Sequence, residues 1–160
     1  CVRAIGEIGL DFHWPDNPAQ EAQERVCAAQ IELAWELGLP CAFHVRDAHP
    51  AMLPLLKAHR DHLLPGIMHC FSGSWELAQE YLKLGMAISF AGPLTFRNAR
   101  KLQEVAVRCP EDRILIETDS PYMAPEPVRG RRNEPTYVRH ICERLAELRG
   151  ADPERMAAVM

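Results

Sequence analysis

Apolar and polar positions come in two alternating rhythms along the chain. Five short runs are dense in Ile, Val, Leu and Phe: "VRAIGEIGL" (2–10), "CAFHV" (41–45), "GIMHCF" (66–71), "MAISFAG" (86–92) and "RILIETD" (113–119). Between them lie longer stretches whose apolar residues recur every three or four positions. The first rhythm predicts buried strands and the second amphipathic helices. Asn17 as N-cap, Pro18 at the first helical position and Gln20 as capping-box partner open the first helix. Its predicted face is Ala22, Val26, Ala29, Leu33 and Leu37, and Gly38 and Pro40 stop it. Further helices are expected over about 48–60, with Pro54 inside, over 74–85, and through Leu102 and Val105 to Cys109. After a Pro-rich loop, Pro135 opens a helix with Val138, Ile141, Leu145 and Leu148 on one face, and Gly150 ends it.

Five strands, each followed by a helix, define an α/β protein with a parallel sheet. Two architectures fit, a doubly wound sheet and a (β/α)8 barrel. A barrel needs eight units and typically about 250 residues. Five units in 160 residues have the density of a partial TIM-like (β/α) barrel short of about three units, in a single domain over 1–160. The chain starts at Cys1, directly in a strand. It stops in a short helix that Asp152 caps and Pro153 opens. Both ends read as cuts through a larger domain.

Ionisable residues interrupt the apolar runs. Glu7 stands in the first, His44 in the second with Arg46 just after it, His69 in the third, and Glu117-Thr118-Asp119 closes the fifth. A carboxylate in a buried strand costs several kcal/mol, roughly, unless it is paired. An arginine or a metal would supply the partner, or the strand reading itself is an artefact. In a parallel barrel the C-terminal strand ends share one face, the face where active sites lie. Glu, His, His and Asp converging there have the chemistry of a divalent-metal site. A structural salt-bridge network is the alternative reading.

Composition narrows the picture further. Of 160 residues, 48% are hydrophobic and 25% charged, with a net charge of −4. That is the profile of an ordinary globular protein without a basic footprint for non-specific nucleic-acid binding. It leaves open a nuclease whose metals meet the phosphates. The six cysteines form no C-x-x-C pair and read as reduced, small hydrophobes in a cytoplasmic setting. No apolar run approaches the ~18 residues of a membrane span. A monomer is expected.

The stretches "IGEIGLDFHW" (5–14), "LGLPCAFHVRDA" (37–48), "HCFSGS" (69–74), "ILIETDSPYMAP" (114–125) and "RGRRNEPTYV" (129–138) resemble, in order and spacing, the TatD family of metal-dependent hydrolases. The resemblance spans essentially the whole chain. It implies a two-metal site for magnesium, manganese or zinc, and hydrolysis of DNA, typically from the 3′ end. Glu7 would bridge the metals, His44 and His69 would complete one site, and Asp119 would serve the other and act as general base. Arg46 would face phosphate, Ser72 and Gly73 would line the pocket with backbone N–H groups, and Asn133 would meet substrate. Alternatives are an ester or amide hydrolase, such as an aminoacyl-tRNA deacylase, and an inactive barrel fragment.

One departure stands out. The family's first strand carries a His-x-His pair that holds one metal, and no His-x-His occurs in this sequence. The expectation is a chain lacking its first strands, binding at most one metal well and hydrolysing little by itself, with an active parent protein.

Overall fold

The structure, a computed structural model, describes residues 2–159. Cys1, grouped above with the reduced cysteines, lies outside them. The chain folds as two compact units, Cys1–His69 with Gln79–Ala87, and Cys70–Ala78 with Ile88–Met160.

The first unit contains β1 (Ile5–Asp11), α1 (Gln20–Leu37), β2 (Cys41–Arg46), α2 (His49–Ala58) and β3 (Ile67–Met68). β1 pairs in parallel with β2, and β2 in parallel with β3. Strands that neighbour one another in chain order, each followed by a helix, belong to the barrel type of winding, since a doubly wound sheet reverses its order. In β2 the side chains alternate: Cys41, Phe43 and Val45 are buried, while Ala42, His44 and Arg46 are only partly so. This period of two puts the apolar set against the helices and His44 on the opposite face. Phe43, Leu10, Ile31, Met52 and Leu56 are among the fully buried core side chains.

β1 obeys the same rule after one interruption. Ile5 pairs with Cys41 and Ile8 with Phe43, so β1 spends three residues where β2 spends two. This bulge contains Gly6 and Glu7, and beyond it Ile8 and Leu10 are buried. A bulge re-aims a side chain. Glu7 is accordingly half exposed, at 50%, and is no buried carboxylate. Gly9 allows the two strands to close. An added Cβ there would lie 2.0 Å from the His44 carbonyl oxygen, at a φ of +144°.

The second unit contains β4 (Ala87–Phe90, from Ile88 on), α4 (Arg100–Arg108), β5 (Ile114–Ile116), α5 (Val138–Arg149) and α6 (Pro153–Val159). β4 pairs in parallel with β5. Between the units in sequence, α3 (Trp75–Lys83) contributes residues to each. Leu102, Val105 and Ala106 of α4 and Ile141, Cys142, Leu145 and Ala146 of α5 are buried. Asp152 caps α6 through the N–H groups of Glu154 and Arg155, at 2.9 and 3.0 Å.

Several sequence expectations are corrected. Val2, Arg3 and Ala4 lie before β1 and are exposed. The run 66–71 yields only a two-residue strand, because Cys70 turns the chain at a φ of 42°. α1 starts at Gln20 without a side-chain cap. Asn17 instead donates its amide to the Asp11 carbonyl at 2.9 Å, and Gln20 bonds Glu24. The buried stripe of α1 is Cys27, Ile31 and Ala34, whereas Val26, Leu33 and Leu37 are exposed. The helix carries two apolar stripes, and periodicity alone selects neither.

Candidate metal centre

Glu7 and His44, on two neighbouring strands, and His69, just past a third, reach one another. One ligand atom from each lies within 4.8 Å of the others. Oε1 of Glu7 is 3.4 Å from Nε2 of His69, and Oε2 is 3.9 Å from Nδ1 of His44. Local geometry explains the meeting. The bulge turns Glu7 out of the helix-facing row, β2 alternation turns His44 the same way, and His69 sits just past β3. The N–H of His69 extends the ladder to the Phe43 carbonyl at 3.0 Å.

The His44 ring is fixed from its far side. Nε2 lies 3.0 Å from Oδ2 of Asp11. With that nitrogen donating, the lone pair sits on Nδ1, on the Glu7 side, which is the tautomer of a metal ligand with a carboxylate behind it. Burial raises the Asp11 carboxyl's pKa. The His13 backbone N–H, the His44 imidazole and the Arg46 charge outweigh it and hold Asp11 below its usual range. Two imidazoles and a carboxylate facing one point are a donor set that fits a divalent cation such as zinc or manganese.

The second unit positions its own carboxylates. Glu117 follows β5 and accepts the N–H of Cys70 at 2.6 Å. Asp119 is partly buried, on a turn with a φ of 57°. The loop beyond it is pinned by Asn133. This side chain is 2% exposed. Its amide donates to the carbonyls of Thr118 and Tyr122 at 2.6 and 2.5 Å, and its oxygen accepts the Glu134 N–H at 2.9 Å. The side chain expected to meet substrate is thus committed to the backbone around Asp119.

Comparison with known proteins decides the lineage. The family described as TatD related DNase matches residues 1–160. The chain belongs to that family. It is 47% identical over 158 residues to YabD of Bacillus subtilis, named a metal-dependent hydrolase of uncharacterized role, covering 99% of this chain and 62% of YabD. It is 42% identical over 163 residues to the 3′-5′ ssDNA/RNA exonuclease TatD of Salmonella typhimurium, covering 99% and 62%. The crystal structure of YJJV, a TatD homologue of Escherichia coli K12, superposes with a TM-score of 0.90 at 33% identity, over 99% of this chain and 60% of that one. The TatD-family chain spans about three fifths of the length of these relatives. Its βα units are TIM-barrel-like.

The remaining sequence-derived residues of this TatD-family chain separate by environment. Arg46 follows His44 on the same face of β2 and lies over the Trp14 ring, its guanidinium carbon 5.3 Å from the centroid. Ser72 is exposed. Gly73 is required by packing, since a Cβ there would meet the Phe71 ring at 2.6 Å and Leu77 at 2.8 Å. Sequence reasoning missed Asp11 and Glu117 as positioning groups. The signal for Asp11 was present: Glu7, Gly9 and Asp11 alternate, so they share one face of β1.

Proposed function

We propose that the protein is a metal-dependent hydrolase of nucleic-acid phosphodiester bonds, working from the 3′ end of single-stranded DNA. The observation that carries this reading is the convergence of Glu7, His44 and His69, with Asp11 setting the His44 tautomer. The relatives named as 3′-5′ ssDNA/RNA exonucleases support nucleic acid as substrate.

In this reading Glu7, His44 and His69 hold one divalent ion, magnesium, manganese or zinc. By the family resemblance Glu7 and Asp119 would serve a second ion. Such ions lower the pKa of a bound water and neutralise charge that builds on the phosphate. The chain's own groups do the rest. Asp119 accepts the proton of the attacking water. Asp11 keeps His44 oriented. Arg46 holds a phosphate oxygen with its guanidinium fork. By the family resemblance the N–H groups of Ser72 and Gly73 would line the pocket, and Asn133 keeps the Asp119 loop in place. With no His-x-His pair in the sequence, the chain is expected to bind at most one ion well and to hydrolyse little by itself.

The test follows nucleotide release from single-stranded DNA with manganese or magnesium, on this chain and on a relative-length protein carrying the pair. The longer protein is compared with its Glu7→Gln, Asp119→Asn double variant. Metal-dependent release that the variant loses supports the reading. Metal bound without release points to ester or amide bonds, as in aminoacyl-tRNA. Absence of metal binding overturns it.

A further inference from the structure

The loop between β1 and α1 carries an exposed indole three residues beyond Asp11, the partner of His44. Trp14 is 56% exposed. A single exposed aromatic needs no explanation by itself. This one is held in place from several sides. Pro15 occupies the second position of a turn closed by the Asn17 N–H on the Trp14 carbonyl at 3.1 Å, which restricts the backbone around the ring. His13 packs edge-on against the indole, with centroids 4.8 Å apart and planes at 89°. His13 is fixed in turn by Asp47 at 2.8 Å and by its own N–H to Asp11 at 2.9 Å. Gln23 ties the base of the loop to the Asp11 and Pro18 carbonyls at 3.0 and 2.7 Å.

Arg46 completes the arrangement. Its guanidinium rests on the indole, and among the described residues no carboxylate forms an ion pair with it. An arginine with unused donors, stacked on an exposed aromatic, presents a charge for phosphate and a flat apolar surface side by side. A cleft of about 400 Å³ is lined by Glu7, Asp11 and His44 together with Asn17 and Pro18 of the loop and Gln23 of α1.

We propose that Trp14 and Arg46 form a nucleotide clamp beside the metal centre. A nucleobase stacks on the indole while Arg46 takes the neighbouring phosphate, so that single-stranded nucleic acid is gripped by its bases as well as its backbone. This rests on the nucleic-acid reading above. Stacking on aromatic side chains tolerates every base, because each has a π-face, so the clamp selects unpaired strands over sequence.

The experiment compares two labelled phosphorothioate strands of equal length, an oligothymidylate and an abasic deoxyribose-phosphate chain, by fluorescence anisotropy. The protein is expected to bind the base-bearing strand about tenfold more tightly. Trp14→Ala is expected to abolish that preference while manganese affinity, measured by calorimetry, stays unchanged. Trp14→Phe is expected to keep most of it, and Arg46→Gln to weaken both strands alike. Equal affinity of the unaltered protein for both strands, or a preference that survives Trp14→Ala, overturns the clamp and leaves the hydrolase reading standing. Failure to bind either strand, with manganese bound, overturns the nucleic-acid reading and the clamp with it.

Discussion

Asp11 and His44 hold each other across the β1–β2 ladder, Oδ2 to Nε2 at 3.0 Å. Their backbones are brought into range by the pairing of Gly9 with His44 and of Asp11 with Arg46. The contact fixes the tautomer of a histidine on a strand face and leaves Nδ1 free to accept on the Glu7 side.

Removing that contact should loosen the metal and spare the fold. Asp11→Asn keeps the shape but loses the charge behind the imidazole. A fall of about 10- to 100-fold in metal affinity is expected. Calorimetric titration with zinc or manganese, beside a circular dichroism spectrum of the variant, measures both effects.

Gly9 is needed for the ladder to close. Gly9→Ala places a methyl within 2.0 Å of the His44 carbonyl oxygen in a backbone conformation that disfavours side chains. A loss of roughly 3 kcal/mol or more is expected, in the range of clash and strain at a special φ. Urea unfolding of the variant against the parent chain measures it.

Strand and helix identities were legible because apolar runs and three-four spacings differ sharply. The meeting of Glu7, His44 and His69 was legible because polar residues stood out at successive strand ends. What remained hidden depended on the third dimension. The bulge at Gly6 and Glu7 is a pairing irregularity, visible only once β2 lies alongside. Asn17 had the chemistry of an N-cap, but the helix starts three residues later, at Gln20, and the Asn17 amide donates to the Asp11 carbonyl instead. Val26, Leu33 and Leu37 made as good a helical stripe as Cys27, Ile31 and Ala34, and only tertiary packing chose between them.

His49 should make the fold acid-sensitive. Burial disfavours its charged form and lowers its pKa below 6.5, against the opposing pull of Asp47. The ring lies 3.0 Å from the Tyr81 hydroxyl. The unfolded chain then takes up the proton at a higher pH than the folded one. This contribution to stability is complete above about pH 6.5 and declines as pH falls toward the lowered folded value. Unfolding free energies between pH 7.5 and 5 should show this slope, and His49→Gln should flatten it.

Asn133 should act through the Asp119 loop. Asn133→Ala leaves the Thr118 and Tyr122 carbonyls without their amide partner. A loss of about 1–3 kcal/mol is expected for such buried groups. Hydrogen exchange should rise across residues 118–134. The manganese affinity of the Glu7–His44–His69 trio should not change.

The central claim is that Glu7, His44 and His69 bind a divalent cation. The most direct measurement is anomalous diffraction from crystals grown with manganese or zinc. The account requires a peak at roughly 2.0–2.3 Å from Nδ1 of His44, Nε2 of His69 and a Glu7 oxygen, absent from crystals of Glu7→Gln. Ions seen elsewhere while this trio stays bare, or a peak undiminished in the variant, would contradict it.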